Sequence, residues 1–376
     1  MSKQGFQVFD SDMHIIEPAD LWQRYMDPSL VDSTPVGLNE WPMDLRIQLG
    51  DRTNPPHTTT AIQTQVDIVN SQLHNYTQDL ERGFDAKAQV MAMDREGIDQ
   101  TVLFPSRGLY AHAFPDLDPL ISEAISQAYN NWLMDFCQDG NPNRMFGAGM
   151  LPIHDVSLAA KEARRVATKL GFPAVFLRPN PVRSNEYWDD HKYDPLWREI
   201  QDIDVAVGFH EGMNSEHPTT GHDRWDRGGK YAIKHAVCHP MEQMMALAAF
   251  TLGGILERFP ALRVGFLEGN GSWLPFWLWR LDEHLEWAGQ LEHQELSSKP
   301  SEYFFRQCMV SVECEETPVK QAIDAVGDDW FVFSTDYPHP DSKYPESTQY
   351  FLDHMPISDG SKRKVLWDNC LRLYKL

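Results

Sequence analysis

The segment DSDMHIIEP, residues 10–18, follows a short apolar stretch and places two carboxylates and an imidazole at every second position. In a β-strand successive side chains point to opposite faces, so Asp10, Asp12 and His14 would share one face. Such a row of two acids and a histidine fits either a solvated strand edge or a metal site. The rest of the sequence must decide between these two interpretations.

Charged side chains also follow several other apolar runs of the chain. They are Arg178, His210 with Glu211, Glu268, Glu313, and Asp336 with His339. If these runs are parallel strands of a barrel, their carboxyl ends converge on one mouth and gather the charged groups there. Many buried charges repel one another unless they are paired, and a divalent cation would compensate them. Mixed nitrogen and oxygen donors favour Zn²⁺, Mn²⁺ or Fe²⁺ over Ca²⁺.

The elements that must hold these side chains alternate along the whole chain. Apolar runs predict eight strands, within FQVFDSD, TVLFPS, MFGAGMLP, AVFLRP, VAVGFHEG, RVGFLEG, CMVSVE and WFVFSTD. Between them, helical periodicity predicts helices at Ala86 to Gly97, Leu120 to Gln138, Ser157 to Leu170, Met241 to Arg258 and Leu274 to Trp287. Eight alternating strand and helix units predict an α/β fold, a closed (β/α)₈ TIM barrel.

We interpret residues 1–376 as one barrel domain with two insertions. The stretches at about residues 15–85 and 211–238 are too long for ordinary βα loops. Both would emerge at the C-terminal face, where barrel enzymes keep their active sites. We expect them to act as lids or as subunit contacts.

Composition excludes several classes of protein. The formal net charge is -22 and no Lys/Arg cluster interrupts it, which argues against nucleic acid as a partner. The N-terminus lacks the apolar core of a signal peptide, and no apolar run is long enough to span a membrane. The five cysteines form no CxxC pair and are expected to be reduced core residues. We therefore expect a cytoplasmic enzyme.

The motifs at the strand ends resemble one known family. Asp-x-His after the first strand, a single histidine after the fifth and STDYPHP after the eighth are similar to the amidohydrolase superfamily. Within it, the chain most resembles the amidohydrolase-related group that includes aminocarboxymuconate semialdehyde decarboxylase, γ-resorcylate decarboxylase and 5-carboxyvanillate decarboxylase. The motifs FLRPNP, ERFPALRVGFLEG and LPFWLWRLDEH extend the resemblance over the whole chain.

This resemblance implies one divalent metal ion, with Zn²⁺ the first expectation and Mn²⁺ or Fe²⁺ the alternatives. The implied ligands are Asp12, His14, His210 and Asp336. Asp10 is expected to act behind the site as a supporting acid. Glu17 is expected either to orient the site or simply to start a turn.

The sequence departs from the family pattern at two places. The more usual His-x-His of the first strand is Asp12-Met13-His14, which resembles the acid-first version of several aromatic acid decarboxylases. The histidine that many members carry after the sixth strand is replaced by Glu268, and His239 is the nearest imidazole that could take its place. The candidates for handling the proton are therefore Asp336, His239 and Glu268.

Two further residues near the strand ends have alternative interpretations. Arg178 could hold a substrate carboxylate in bidentate fashion, or it could form a structural ion pair with one of the many acids. His339 lies in a loop, where histidines are usually solvated bystanders. The sequence leaves the choice for Arg178 open and favours the bystander role for His339.

Three functions are compatible with these residues. The favoured one is nonoxidative decarboxylation of a small carboxylated aromatic or unsaturated compound, assisted by the metal. The second is hydrolysis of an amide, lactone or C–C bond at the same site, with Asp336 taking the proton of a water. The third is a catalytically silent barrel that serves as a binding protein. The helix WLPFWLWRLDEH is expected to pack on the barrel or to join subunits in a homodimer or higher homo-oligomer.

Overall fold

The computed structural model describes residues 3–55, 59–212, 231–289, 291–292 and 296–376. Its strands are β1 Phe9–His14, β2 Val36–Gly37, β3 Ile47–Leu49, β4 Arg52–Asn54, β5 Gln100–Phe104, β6 Met145–Met150, β7 Ala174–Leu177, β8 Ala206–Phe209, β9 Arg263–Phe266, β10 Cys308–Glu313 and β11 Phe331–Ser334. Eight of them form one sheet in the order β1-β5-β6-β7-β8-β9-β10-β11, with parallel neighbours. These are the eight strands that the apolar runs predict, so the barrel prediction is confirmed.

The barrel closes where β11 lies beside β1. The backbone N–H of His14 donates to the carbonyl oxygen of Tyr337 at 2.6 Å, just beyond the end of β11. The backbone N–H of Thr335 donates to the carboxylate of Asp10 at 3.2 Å. The strands are almost continuously buried, as expected for parallel strands that have the barrel interior on one side and helices on the other.

The α-helices of the described ranges surround this sheet. They are α1 Leu21–Tyr25, α2 Thr59–Gln72, α3 Thr77–Glu81, α4 Ala86–Glu96, α5 Gly108–Ala111, α6 Pro119–Gly140, α7 Val156–Arg165, α8 Asp194–Ile203, α9 Tyr231–Thr251, α10 Ile255–Arg258, α11 Leu274–His284, α12 Pro300–Gln307, α13 Val319–Val326, α14 Ser347–His354, α15 Asp359–Arg363 and α16 Asn369–Tyr374.

Aspartate caps start several of the barrel helices. Asp85, Asp118 and Asp155 each accept a hydrogen bond from a backbone N–H in the first turn of α4, α6 and α7. Such a cap satisfies one of the donors that a helix leaves unpaired at its start, and it is typically worth about 1 kcal/mol. The starts predicted from periodicity, at Ala86, Leu120 and Ser157, lie within one residue of the observed starts.

The start of α9 differs from the prediction. Periodicity predicts a helix from Met241, whereas α9 begins at Tyr231, ten positions earlier. Pro240 lies inside α9, and a proline normally marks a helix boundary because it lacks the N–H donor. Residues 231–238 therefore belong to a helix and not to a polar insertion. Of the predicted insertion at 211–238, residues 213–230 lie outside the described residues.

The first predicted insertion carries its own small structures. Strands β2, β3 and β4 form an antiparallel sheet, and α1 packs against the barrel helix α6. The Tyr76 hydroxyl donates to the carbonyl oxygen of His339 at 3.2 Å. The guanidinium of Arg107, after β5, donates to the carbonyl oxygen of Leu38 at 2.7 Å. The insertion thus contacts the loops that follow β5 and β11, at the C-terminal ends of the strands.

All five cysteines are buried, and none forms a disulfide. Among the described residues, no helix combines the length and the apolar character that crossing a membrane requires.

Two histidines are buried away from the strand ends that carry the predicted site. His154 Nδ1 lies 2.9 Å from the hydroxyl oxygen of Ser122, and His154 Nε2 donates to the carbonyl oxygen of Phe114 at 2.8 Å. The ring of His112 packs edge-on against it, with centroids 5.9 Å apart. Burial lowers the pKa of His112 to about 3 and that of His154 to about 4. Both imidazoles are therefore neutral in the folded protein.

We expect His154 to make folding sensitive to acid. The unfolded chain binds a proton at this histidine below about pH 6.5, whereas the folded chain does so only near pH 4. The stability is therefore fully present above the unfolded pKa and falls by up to about 1.4 kcal/mol per pH unit below it. In His154→Gln, the free energy of unfolding measured in urea from pH 7 to pH 5 should fall less steeply than in the wild type. The exposed His191→Gln is the matched control, and equal slopes in all three proteins would contradict the assignment.

Candidate active site

Four strands of the barrel bring their terminal side chains to one point. His14 ends β1, His210 follows β8, Glu268 follows β9 and Asp336 follows β11. His14 Nε2 lies 2.7 Å from His210 Nε2 and 3.4 Å from Asp336 Oδ1. Glu268 Oε2 lies 2.5 Å from His210 Nε2 and 4.0 Å from His14 Nε2. All four side chains are at least nine-tenths buried.

The two facing imidazoles have defined tautomers. His14 Nδ1 lies 2.8 Å from the carbonyl oxygen of Pro105, and His210 Nδ1 lies 2.9 Å from the carbonyl oxygen of Glu211. Carbonyl oxygens only accept hydrogen bonds, so both Nδ1 atoms must carry the proton. In this Nδ1–H tautomer each ring offers a lone pair at Nε2, and the two Nε2 atoms lie 2.7 Å apart. Such an arrangement is repulsive by itself and is the one that a cation between two histidine ligands requires.

Further donors surround these two nitrogens. One ligand atom each of His14, Glu268, Asp336 and His339 lies within 4.8 Å of the others. Asp12 precedes His14 on the same strand, and neither of its buried carboxylate oxygens has a hydrogen-bond partner of normal geometry in the described part of the chain. Imidazole nitrogens and carboxylate oxygens are the donors that Zn²⁺, Mn²⁺ and Fe²⁺ share. The residues therefore fit a divalent transition-metal ion.

The pKa values of these site residues are shifted by burial and by their neighbours in the cluster. Burial raises the pKa of Asp336 and Asp12 well above the usual range, and neighbouring carboxyls, Glu268 for Asp336 and Asp10 for Asp12, raise it further. Burial also lowers the pKa of His14 well below its usual range, with His339 and His210 adding to the shift. Carboxylates that resist ionisation beside imidazoles that resist protonation form a site whose charges need a cation.

His239 contacts this group from α9. Its Nε2 lies 3.1 Å from Glu268 Oε1, and its Nδ1 donates to the carbonyl oxygen of His235 at 3.2 Å. Burial lowers the pKa of His239, but the Glu268 carboxylate outweighs it and the pKa rises to about 9. Burial likewise raises the pKa of Glu268, while His210 and His239 together bring it well below its usual range. His239 is therefore an imidazolium at neutral pH, next to the residue that replaces the family's histidine.

His339 is part of the site, and the prediction that it is a bystander is wrong. Its Nδ1 donates to Asp336 Oδ1 at 2.8 Å, and its Nε2 lies 2.9 Å from the hydroxyl oxygen of Ser106. Its ring stacks on that of His14 with centroids 4.1 Å apart. Tyr76 of the first insertion packs on this loop, and its hydroxyl donates to the His339 carbonyl oxygen. Sequence position alone does not show such packing.

Glu17 holds the loop that orients these histidines. Its carboxylate accepts hydrogen bonds from the backbone N–H groups of Ser106, Arg107 and Gly108, the shortest at 2.7 Å. The same loop supplies the Pro105 carbonyl that faces His14 and the Ser106 hydroxyl that faces His339. The orienting role expected for Glu17 thus has a structural basis, whereas Pro105 and Ser106 were missed because a backbone carbonyl and a common serine leave no sequence signal.

Asp10 lies behind the site. Its Oδ1 accepts from the backbone N–H of Asp12 at 3.2 Å, and its Oδ2 accepts from the backbone N–H and the hydroxyl of Thr335. Thr335 directly precedes Asp336. Asp10 therefore ties β1 to β11 at the level of the site residues.

Arg178 does not join the central group. Its guanidinium donates to Glu211 Oε1 at 2.9 Å and to the carbonyl oxygens of Leu109 at 2.9 Å and Gly212 at 2.5 Å. Both partners in the ion pair are buried. This is the structural ion pair of the two alternatives, and recognition of a substrate carboxylate by Arg178 stays a prediction.

Comparisons with known proteins agree with this geometry. The family model described as Amidohydrolase matches residues 9–376. Gamma-resorcylate decarboxylase from Polaromonas sp. is 25% identical over 298 residues, which cover 77% of this chain and 86% of that protein. The 2-amino-3-carboxymuconate-6-semialdehyde decarboxylase of Dictyostelium discoideum is 25% identical over 293 residues, which cover 78% of this chain and 77% of that protein.

A solved structure shares the fold over the whole chain. It is 5-carboxyvanillate decarboxylase from Novosphingobium aromaticivorans, determined with bound manganese and 3-methoxy-4-hydroxy-5-nitrobenzoic acid. The TM-score is 0.71 at 21% sequence identity, and the match covers 100% of this chain and 98% of that chain. The resemblance expected from the strand-end motifs is confirmed.

We expect Asp12 and Asp10 to respond differently to the same substitution. Asp12→Asn should weaken Mn²⁺ and Zn²⁺ binding by more than the roughly 10-fold to 100-fold typical of outer-shell changes, because it removes a ligand charge. Asp10→Asn should retain the metal and lower the free energy of unfolding by about 1.5–3 kcal/mol, because it weakens charge-assisted hydrogen bonds to Thr335. Isothermal titration calorimetry and urea unfolding measure the two effects. Metal loss in Asp10→Asn with full binding in Asp12→Asn would reverse the assignment.

Proposed function

The chain belongs to the amidohydrolase family, and from that premise we propose that it catalyses metal-dependent, nonoxidative decarboxylation of a small carboxylated aromatic or unsaturated compound. The observation that carries the proposal is His239, an imidazolium held beside the donor cluster by Glu268. Decarboxylation needs a proton donor for the carbon that loses CO₂. Two relatives that share about 25% of their residues with this chain are named as decarboxylases, which supports the same reaction class.

We propose that His14, His210 and Asp336 hold the metal ion, with Asp12 as the further carboxylate ligand. A divalent ion bound there would polarise the substrate carboxylate and an adjacent oxygen. Zn²⁺ is the first expectation from the donor set, and Mn²⁺ must be tested beside it, because carboxylates favour harder ions and the structural neighbour named above holds manganese.

The proton chemistry is assigned to His239. As the bond between the ring carbon and the carboxylate breaks, its electron pair takes the proton from His239 Nε2 and CO₂ leaves. The other ring proton stays on Nδ1, which donates to the carbonyl oxygen of His235 throughout. Glu268 keeps the imidazole charged before the step and fixes its direction, and water then returns the proton.

The other two functions are less well supported. Hydrolysis would use Asp336 as the base for a water, but Asp336 already accepts a hydrogen bond from His339 and the named relatives are decarboxylases. Membership of an enzyme family argues against a silent barrel. The cytoplasm remains the proposed compartment, and five cysteines outside any disulfide are compatible with it.

The reaction type is decided by the fate of the atoms. With γ-resorcylate and 5-carboxyvanillate as first substrates, the Mn²⁺- or Zn²⁺-loaded enzyme should release CO₂ and should place one solvent deuterium on the ring. His239→Asn should keep its metal and lose about 10²-fold to 10⁴-fold in kcat, the range of a general acid. Incorporation of ¹⁸O from water into the organic product would identify a hydrolase. A His239→Asn variant with wild-type kcat would remove the acid assignment.

We also propose that the chain forms a homodimer or a higher homo-oligomer. Large apolar side chains are exposed on neighbouring helices, Met241 and Met245 on α9 and Phe276 and Trp279 on α11. The indole N–H of Trp277 donates to the carbonyl oxygen of Met244 at 2.8 Å, so the two helices lie side by side. A contiguous exposed apolar surface marks an interaction site more often than scattered single residues do.

This apolar face should control the oligomeric state. Phe276→Lys combined with Trp279→Lys should shift the protein to a smaller species in analytical ultracentrifugation, because the charges would be buried in the interface. Leu120→Lys, at an exposed position on α6, is the control and should leave the distribution unchanged. A wild-type protein that is monomeric at every concentration would contradict the proposal.

A further inference from the structure

We infer that Gln243 is a positioning residue, which sets the distances among His210, Glu268 and His239 through a single side-chain amide. It is fully buried on α9. Its Nε2 donates to two backbone carbonyl oxygens, that of Phe209 at 3.0 Å and that of Leu267 at 2.5 Å. Neither acceptor is a site residue, but each directly precedes one.

The two carbonyls lie at the ends of neighbouring strands. Phe209 is the last residue of β8 and is followed by His210, while Leu267 lies one position beyond β9 and is followed by Glu268. The backbone N–H of Leu267 donates to the Phe209 carbonyl at 3.0 Å, so the strand ends are also joined directly. The amide of Gln243 closes a small ring of hydrogen bonds around the point where both site side chains leave the sheet.

Only one orientation of this amide is compatible with its surroundings. Its two N–H groups face two carbonyl oxygens, and Oε1 has no hydrogen-bond partner among the described residues. The flipped amide would place an oxygen against two carbonyl oxygens, which is repulsive. The Gln243 amide therefore acts through its two N–H donors. A buried carbonyl at a strand end costs free energy when nothing donates to it, so the bonds are also structurally useful.

The third residue is placed because Gln243 follows His239 by one helical turn. Residues four apart lie on the same face of a helix, so α9 presents both side chains to the same strand ends. The turn after β9 touches this face so closely that a Cβ on Gly269 would lie 2.5 Å from Gln243 Cγ and 3.2 Å from the carbonyl oxygen of His239. Gln243 thus fixes how far His239 Nε2 stands from Glu268.

A second glutamine in the chain gives a matched control. Gln307, at the end of α12, is also buried and donates through Nε2 to two backbone carbonyl oxygens, those of Phe259 at 2.8 Å and Leu262 at 2.9 Å. Its acceptors lie before β9, at the opposite end of that strand from Glu268. Gln243→Met and Gln307→Met remove the same donors from the same kind of acceptor, and only one of them adjoins the site.

Both methionine variants should lower the melting temperature, since both remove a side-chain donor from two buried carbonyls. Only Gln243→Met should weaken Mn²⁺ binding, by about 10-fold to 100-fold, as outer-shell changes do. It should also lower kcat by about 10-fold or more with KM within about 3-fold, and move the alkaline limb of the pH profile of kcat to lower pH, because Glu268 would stand farther from His239. Mn²⁺ binding followed by electron paramagnetic resonance needs no turnover.

The kinetic part of the inference rests on the proposed decarboxylation, whereas the metal-binding part does not. If neither wild type nor variant decarboxylates the substrates, a selective loss of Mn²⁺ affinity in Gln243→Met still supports the positioning role. Equal Mn²⁺ affinity in the wild type and both variants would overturn it, as would equal losses in both. Should Gln243→Met not fold, the isosteric Gln243→Glu, which keeps one donor when protonated, should show an intermediate loss, and wild-type affinity there would overturn the inference.

Discussion

Two imidazoles whose Nε2 atoms face each other across 2.7 Å are the constraint around which the mouth of this barrel is organised. Each Nδ1 donates to a backbone carbonyl, so in the Nδ1–H tautomer each ring offers its Nε2 lone pair toward the other. Buried carboxyls stand close by with pKa values that burial raises. Positive charge between these groups removes both conflicts at once. A cation and the folded strand ends therefore support each other.

Such a site needs a rigid frame, and buried polar groups supply it from three directions. Glu17 gathers the amides of the loop after β5, Asp10 ties β1 to Thr335, and Gln243 bridges the ends of β8 and β9. Each acts on backbone next to a site residue. When one of these supporting hydrogen bonds is lost, the neighbouring site residue moves by a fraction of an ångström. Catalysis is more sensitive than folding to a displacement of this size.

His239 stands apart because it comes from a helix and carries charge. Its proton is kept by Glu268, whose other oxygen faces His210. The Glu268 carboxylate thus contacts His239 through one oxygen and His210 through the other, which a histidine after β9 would not do in the same way. With Glu268 after β9, the imidazole on this side of the site is His239 of α9, 3.1 Å from the Glu268 carboxylate.

The sequence determined the eight strands, the barrel and the members of the site, because these depend on local signals. Apolar runs of four to six residues ending in charged side chains predict buried parallel strands, and parallel strands must send their ends to one mouth. Asp12, His14, His210, Glu268 and Asp336 were found for that reason. Helical periodicity similarly predicted where α4, α6 and α7 begin.

Tertiary structure alone decided the rest. The roles of His339, Arg178 and Gln243 depend on which groups face them from segments distant in sequence, and no spacing rule encodes that. His339 is part of the site because the insertion packs on its loop. Arg178 instead forms an ion pair with Glu211. The Gln243 side chain bonds backbone carbonyls, which every residue possesses, so its partners are invisible in the sequence. Local sequence identifies the residues that could take part in the site, and long-range packing determines which of these chemically equal residues do so.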